Sequence, residues 1–226
     1  MRKEAILSGP EQPTLSGEKA KQLVVLLHGL GANGEDLISL ADMFARDLPD
    51  AHFIAPDAPF PCDMAPFGYQ WFSLLNRDEA SILSGIRQVL PILQAFLNAQ
   101  LERFQLEMAQ LMLIGFSQGT MLSLHTALRG KTPMAGVLGY SGALIGESVL
   151  LAEIQSRPPV CLVHGTFDSV VPFAAMGKAE EVLVSAGVPV ESHARPGIGH
   201  GIDPQGIDIG RRFLQKCLLN EKTTLA

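Results

Sequence analysis

Residues 111–120 read LMLIGFSQGT, and this stretch determines which fold the rest of the chain is expected to follow. The apolar run 111–114 has the continuous hydrophobicity of a strand buried on both faces of a parallel sheet. A serine between two glycines follows, and Thr120–Leu128 has the spacing of a helix. A Gly-x-Ser-x-Gly motif between a strand and a helix is typical of a tight turn that projects the serine hydroxyl above the edge of a sheet.

Other short apolar runs along the chain have the same character, and segments with helical spacing lie between them. The clearest helices are predicted over 82–97, with a kink at Pro91, and from Pro172 to Gly187. Strands that alternate with helices predict an α/β fold whose mostly parallel central sheet carries helices on both faces. The apolar runs are Leu23–Leu27, His52–Ala55, Leu111–Gly115, Ala135–Tyr140 and Val160–His164.

The length of the chain predicts a single domain over residues 1–226, without an interdomain linker. Residues 1–21 are polar and interrupted by Gly and Pro, so we expect them to form an N-terminal extension or an edge hairpin. The segment has no apolar core of a signal peptide, and no later run approaches the length of a membrane span. These features predict a cytoplasmic protein without an integral membrane segment.

Charge and cysteine content exclude several classes of function. Lys and Arg total 17 against 23 Asp and Glu, a formal charge of -6, so we expect no nucleic-acid partner. The three cysteines are odd in number and lack a C-x-x-C spacing, which indicates neither a disulfide framework nor a zinc knuckle.

Ser117 is the candidate nucleophile within the Gly-x-Ser-x-Gly motif. Gly115 and Gly119 remove side chains that would clash with the tight turn, and the backbone N–H of Gln118 faces any oxyanion that forms beside the serine. A serine that merely caps a helix is the alternative interpretation. Ser141, in a Tyr-Ser-Gly sequence, is a candidate for such a structural role.

His200 and Asp168 are the candidate partners of this serine. In a fold with a serine elbow the chain order is serine, acid, histidine, which leaves only His193 and His200 as bases. His193 alternates with apolar residues and is predicted to point from the polar face of a strand, whereas His200 lies in a glycine-rich loop beyond that strand. Asp168 follows the predicted strand 160–163 at its carboxyl end, although turn or helix-capping aspartates are also common there.

Together these motifs resemble the carboxylesterase, lysophospholipase and acyl-protein thioesterase group of α/β-hydrolases. The resemblance spans about residues 22–216 and includes Leu27–Gly31, Gly115–Gly119, the His164-to-Pro172 segment and Gly199–Gly201. It implies a catalytic triad of Ser117, Asp168 and His200. It also implies that the N–H groups of Leu30 and Gln118 form the oxyanion hole, and that His28 organises the loop.

The resemblance further implies a serine hydrolase that cleaves carboxylic esters or thioesters of short-to-medium acyl chains through an acyl-enzyme. The alternative within the group is a lysophospholipase or acyl-protein thioesterase acting on long chains. Thr120 stands where many relatives have Gly, and Ser73 stands where thioesterases of the group usually have Asp, so the substrate stays open. We expect no metal or organic cofactor, and the sequence leaves open whether the chain forms a homodimer.

Aromatic residues are concentrated in the segment from Phe60 to Phe72 of a chain that has few elsewhere. Such rings either pack on the flank of the domain or form the wall of a pocket. We expect Trp71 and Phe72 to be the rings that approach the acyl group.

A competing motif lies near the N-terminus, because Gly29-Leu30-Gly31-Ala32-Asn33-Gly34 is a literal G-x-G-x-x-G after a strand. Such a motif is typical of dinucleotide-binding folds and would indicate a nicotinamide-dependent oxidoreductase. The acid that binds the ribose could only be Asp50 or Asp57. This alternative is disfavoured because it leaves Ser117, Asp168 and His200 unexplained.

Overall fold

The computed structural model describes residues 7–219. Its main sheet has seven strands in the order β1-β3-β2-β6-β7-β8-β9, and β4 and β5 form a separate two-stranded hairpin. The strands are β1 Glu11–Gln12, β2 Gln22–Leu27, β3 Ala51–Ile54, β4 Phe60–Pro61, β5 Tyr69–Gln70, β6 Leu111–Phe116, β7 Gly136–Tyr140, β8 Val160–Gly165 and β9 Val190–Arg195. The helices are α1 Gly34–Ile38, α2 Ala41–Phe44, α3 Glu79–Phe104, α4 Gln118–Arg129, α5 Glu147–Glu153, α6 Ala174–Ser185 and α7 Pro204–Leu218.

Six strands of this sheet are parallel to one another, namely β2, β3, β6, β7, β8 and β9. Only β1 is antiparallel to its neighbour, β3. Strands β2 and β7 are buried along their whole length because helices cover both faces. One core contains side chains of α3, α4 and α6, such as Ile86 and Leu183. The core on the other face contains side chains of α2 and α7, such as Phe44 and Phe213. The predicted fold class is confirmed.

Helix α3 extends well beyond the predicted range 82–97. Asp78 begins it by accepting a hydrogen bond from the backbone N–H of Ser81 (2.9 Å), and Gln105 ends it in a left-handed conformation. Its length and composition alone would suffice to cross a membrane, a property that it shares with core helices. Its apolar face, which includes Ile86 and Leu93, is buried in the core.

Part of the polar segment 1–21 pairs with the edge of the sheet. Glu11 and Gln12 form β1 beside Ile54 and Phe53 of β3. Residues 1–6 of this segment lie outside the described residues.

The parallel register determines where the candidate site residues lie. Ser117 directly follows β6, Asp168 comes three residues after β8, and His200 follows β9 by five residues. Because the carboxyl ends of parallel strands meet at one edge of the sheet, the three loops share that edge.

Candidate active site

Ser117 lies at the sharp turn between β6 and α4. Its φ of 53° is in the left-handed region, which is rare for a residue with a side chain. The turn is held on both sides: the Ser117 N–H donates to the Tyr140 carbonyl (2.9 Å), and the Ser117 carbonyl accepts from the Thr120 N–H (3.0 Å). A strained serine at this position is typical of a nucleophile elbow.

The two flanking glycines are required by close approaches of the backbone. A Cβ atom at Gly119 would lie 1.8 Å from the carbonyl oxygen of Leu27, and one at Gly115 would lie 2.4 Å from the nitrogen of Thr120. Thr120, which departs from the group's usual Gly, is buried, and its hydroxyl lies 2.8 Å from the Gly115 carbonyl and 2.9 Å from that of Tyr140. The departure is therefore accommodated by hydrogen bonds within the turn.

Asp168 is a fully buried carboxylate that is surrounded by donors. Its Oδ1 accepts the backbone N–H groups of Val170 and Val171, both at 2.9 Å, and its Oδ2 lies 2.8 Å from Nδ1 of His200. Burial by itself would raise the pKa of Asp168, but the hydrogen bonds from His200, Val171 and Val170 outweigh it and lower the pKa below its ordinary value. The group is therefore an ionised acceptor at neutral pH.

His200 is oriented by this carboxylate. Because an ionised Asp168 can only accept, Nδ1 of His200 carries the proton, and Nε2 is left with a free lone pair. The imidazole also packs on Phe116, with ring centroids 4.9 Å apart. Among residues 7–219 no hydrogen bond joins His200 to the hydroxyl of Ser117; such contacts are often long in unliganded enzymes and tighten when substrate binds.

A second imidazole reaches Asp168, and the sequence analysis had set it aside as too early in the chain. Nε2 of His164, at the end of β8, lies 3.2 Å from Oδ2 of Asp168 and 2.9 Å from the Val171 carbonyl. Since a carbonyl can only accept, this nitrogen carries a proton and donates. The sequence did contain a sign of this proximity, because His164 and Asp168 are four residues apart across the end of a predicted strand.

The loop after β2 lies beside the elbow, since a Cβ atom at Gly29 would be 3.4 Å from that of Ser117. His28 organises this loop: its Nε2 accepts from the Ala58 N–H (3.0 Å), which leaves the proton on Nδ1 to donate to the Gly29 carbonyl (2.7 Å). Burial lowers the pKa of His28, which keeps the ring neutral. The Gly29 carbonyl and the Leu30 N–H belong to the same peptide. Because a trans peptide directs these two groups to opposite sides, the Leu30 N–H points away from His28.

The backbone N–H groups of Leu30 and Gln118 are both available to a ligand, since neither donates to another group within residues 7–219. Gln118 is the first residue of α4, where helix N–H groups lack internal acceptors and the helix dipole is positive. Two free donors flanking a strained serine are the arrangement that stabilises an oxyanion.

The side chain of Gln118, whose structural role the sequence did not reveal, fastens the segment before α3 to the elbow. It is fully buried, accepts from the Trp71 N–H (2.8 Å) and donates to the Phe72 carbonyl (2.7 Å). The indole Nε1 of Trp71 in turn donates to the His28 carbonyl (3.0 Å). The elbow and the loop that carries Leu30 are thereby connected through Trp71.

Trp71 and Phe72 are both buried and line a cavity of about 440 Å³ between the β4–β5 hairpin and the start of α3. Six of the ten residues around this cavity have uncharged polar side chains, and none is charged. They are Gln70, Ser73, Asn76, Ser81, Ser84 and Gln88. Ser73, the second departure from the group's pattern, is thus part of a neutral polar lining.

The glycine-rich segment 29–34 has a structural explanation that involves no nucleotide. Asn33 caps α1 by accepting from the Asp36 N–H (3.1 Å), and Gly34 donates to Asp57 (2.8 Å). Asp50, the other candidate for a ribose, pairs with Lys21 at 2.6 Å. Both carboxylates are therefore used within the fold, which removes the acid that the oxidoreductase alternative required.

Comparison with known proteins agrees with this geometry. Residues 14–218 match the family described as phospholipase/carboxylesterase. Acyl-protein thioesterase 1 homolog 1 of Dictyostelium discoideum is 26% identical over 204 residues, which cover 86% of this chain and 90% of that protein. Esterase YpfH of Escherichia coli is 26% identical over 210 residues, 93% of this chain and 86% of that protein.

Solved structures show the same architecture. The structure of esterase PE8 superposes with a TM-score of 0.90 at 42% sequence identity, covering 94% of this chain and 100% of that one. The structure of Arabidopsis thaliana SOBER1 gives a TM-score of 0.74 at 25% identity, covering 87% of this chain and 99% of that one.

Proposed function

Because the chain belongs to the phospholipase/carboxylesterase family of α/β-hydrolases, we propose that Ser117, His200 and Asp168 are its catalytic triad. The chain is a carboxylic ester hydrolase of the serine type, acting on esters or thioesters. The observation that carries the proposed triad is the 2.8 Å contact between Asp168 and His200, at the sheet edge where Ser117 adopts a left-handed backbone.

The proposed reaction is acyl transfer in two steps. Nε2 of His200 takes the hydroxyl proton as the oxygen of Ser117 attacks the carbonyl carbon, and the imidazolium is stabilised by Asp168. The same proton then passes to the leaving oxygen or sulfur, and an acyl-serine remains. Water, deprotonated by His200, attacks the acyl-serine in the second step; the acyl–oxygen bond breaks, the acid is released, and His200 returns the proton to the oxygen of Ser117.

The proposed oxyanion hole consists of the N–H groups of Leu30 and Gln118. The negative charge on the carbonyl oxygen develops only in the transition state, so donors that are already oriented lower the barrier without reorganisation. The hydrogen bonds from His28 to Gly29 and from Trp71 to His28 support this assignment, because they hold the Leu30 peptide in one orientation.

For the substrate we propose short-to-medium acyl chains, with Trp71 and Phe72 closest to the acyl group. The two rings provide apolar surface, but the neutral polar side chains around the same cavity limit how many methylenes can be buried favourably. The family includes proteins named acyl-protein thioesterase, so long-chain thioesters are the second candidate. A series of esters of increasing chain length distinguishes the two.

The proposal includes a cytoplasmic location, which is supported by three free cysteines, Cys62, Cys161 and Cys217. All of the proposed catalytic groups come from one chain. A homodimer, which the sequence leaves open, would therefore not change the composition of the site.

Labelling with a fluorophosphonate probe, followed by peptide mapping, tests the nucleophile. We expect modification at Ser117 alone, because among residues 7–219 it is the serine that we assign to the base His200 and to the two free N–H donors of Leu30 and Gln118. Ser117→Ala is expected to lower kcat by about 10⁴- to 10⁶-fold with the fold intact, since binding and oxyanion stabilisation remain.

Ser141 is the matched control for this experiment, because it too is buried and has a positive φ of 48° at the same sheet edge. Its hydroxyl faces the Gly201 carbonyl at 3.5 Å instead of a base. Labelling of Ser141, or a Ser117→Ala variant that retains a tenth of the activity, would contradict the proposed triad.

A further inference from the structure

Three side chains with metal-binding atoms converge on the outer part of the sheet, apart from the proposed triad. Cys161 of β8 is the register partner of Glu191 on the edge strand β9, and His193 lies two residues further along β9 on the same face. A carboxylate oxygen of Glu191, a ring nitrogen of His193 and the Sγ of Cys161 all lie within 4.8 Å of one another. This group is called the β8–β9 cluster below.

The β8–β9 cluster brings together electron-pair donors with little positive charge to balance them. Nζ of Lys216 lies 3.6 Å from Glu191, but the lysine side chain is 65% exposed, so the pair contributes little. His193 makes no side-chain hydrogen bond within residues 7–219, so the ring nitrogen in the cluster is not committed to another partner.

We propose that Cys161, Glu191 and His193 bind a divalent transition metal of the zinc type, with water as the fourth ligand. One sulfur, one nitrogen and one oxygen ligand suit zinc, whereas magnesium and calcium prefer oxygen ligands throughout. Tetrahedral bonds of about 2.0–2.3 Å place ligand atoms about 3.3–3.8 Å apart, so a contraction of about 1 Å closes the site.

Metal binding at the β8–β9 cluster requires the Cys161 thiol to lose its proton to solvent as the sulfur–metal bond forms. Affinity is therefore expected to rise with pH. Glu191 has a side chain that is 38% exposed, which gives the ion a route to the buried sulfur. The bound metal would join the edge strand β9 to β8, and β9 leads into the loop that carries His200.

Cobalt titration of the reduced full-length protein in metal-free buffer tests the proposal. We expect one cobalt ion per chain, a thiolate-to-cobalt charge-transfer absorption, and displacement of the cobalt by zinc. Cys161→Ser should abolish this absorption, whereas Cys62→Ser and Cys217→Ser, the two matched thiol controls, should retain it. Zinc should also raise the Tm of the wild type and leave that of Cys161→Ser unchanged.

Two variants keep the test decisive if Cys161→Ser fails to fold. Glu191→Gln and His193→Gln alter half-buried side chains. Loss of a residue that only contacts a metal ligand weakens binding roughly 10- to 100-fold, so loss of either direct ligand should weaken cobalt binding by more than that. The proposal is overturned if cobalt binds without the charge-transfer absorption, as it would at His200 alone. It is also overturned if the absorption survives Cys161→Ser or disappears in Cys217→Ser, or if no cobalt binds.

Discussion

At the residue scale, the carboxylate of Asp168 is held by three donors: the N–H groups of Val170 and Val171 on Oδ1, and the imidazole of His200 on Oδ2. Nε2 of His164 lies 3.2 Å from Oδ2, but its N–H donates to the Val171 carbonyl at 2.9 Å. We infer that His164 is a positioning residue, because it fastens Val171, whose own N–H binds Asp168.

His164→Ala is expected to lower kcat by about fivefold, since a hydrogen bond between neutral groups contributes about 1 kcal/mol. Without this donor Val171 is held less firmly, so Asp168 orients His200 less well. KM should change little, because His164 is buried and orients the proposed base only through Val171 and Asp168.

His164→Gln is the control, because its amide retains an N–H donor for the Val171 carbonyl and should restore much of the rate. Circular dichroism establishes that both variants are folded. If a folded His164→Ala variant has the wild-type kcat, or if His164→Gln restores none of a lost rate, His164 is only a packing residue.

The choice of His200 over His193 is tested in the same assay. His200→Ala should be nearly as damaging as Ser117→Ala, because it removes the base that contacts Asp168. His193→Ala should leave kcat/KM within about twofold in metal-free buffer, since the ring lies on β9 rather than in the loop beyond it. The reverse ranking would show that the base has been assigned to the wrong histidine.

At the scale of elements, the segment that follows the β4–β5 hairpin links the cavity to the proposed oxyanion hole. Its position depends on Gln118, which bonds the backbone of Trp71 and Phe72, and on the indole N–H of Trp71, which bonds His28. Changes at Trp71 can therefore affect both acyl binding and the orientation of the Leu30 peptide.

A chain-length series of nitrophenyl esters, measured below the micelle concentration, separates these two roles of Trp71. In the wild type, kcat/KM should rise up to about fourfold per methylene, since burial of one methylene contributes about 0.8 kcal/mol, and should then level off. Trp71→Ala should flatten the rise because it removes apolar wall.

Trp71→Phe is the matched variant, since it keeps an aromatic ring and loses only the donor to His28. It should preserve the rise with chain length and lower kcat on every ester by about fivefold, as expected for one hydrogen bond. If the wild type is indifferent to chain length, or if Trp71→Ala slows all esters equally, Trp71 does not line the acyl site.

At the scale of the whole molecule, a buried histidine outside the site links stability to pH. His125 on α4 is buried, and its Nδ1 has no hydrogen-bond partner within the described part of the chain, residues 7–219. Burial, with the charge of Arg129, lowers its pKa from 6.5 to about 4. Between these values the unfolded chain binds a proton that the folded chain does not, so the free energy of unfolding should fall as pH decreases from 6.5 to 4.

His125→Leu should flatten this pH dependence of the urea midpoint, since the leucine fills a similar volume and does not titrate. Part of the slope should remain, because burial also lowers the pKa of His28. His193→Gln is the control and should keep the wild-type slope. An unchanged slope in His125→Leu would show that other groups cause the acid destabilisation.

The sequence by itself determined the α/β class, the family and the candidates Ser117, Asp168 and His200. The α/β class depends on hydrophobic periodicity, and the three candidates depend on chain order and on glycines whose steric role is local, all of which can be read along the chain. The family was inferred from the resemblance of the motifs to a known group. The expectation that His28 organises its loop came from the resemblance to the family, and its ring does contact the carbonyl of the next residue, Gly29.

Only the tertiary structure brought together residues that are distant in sequence. The clamp from Gln118 to Trp71 and Phe72 joins segments about 46 residues apart, and the β8–β9 cluster depends on the pairing of Cys161 with Glu191. No local pattern encodes which strand becomes the neighbour of β8, because that choice is made by the packing of helices on both faces of the sheet. Hydrogen-bond partners and shared ligand sites follow from that packing and not from spacing along the chain.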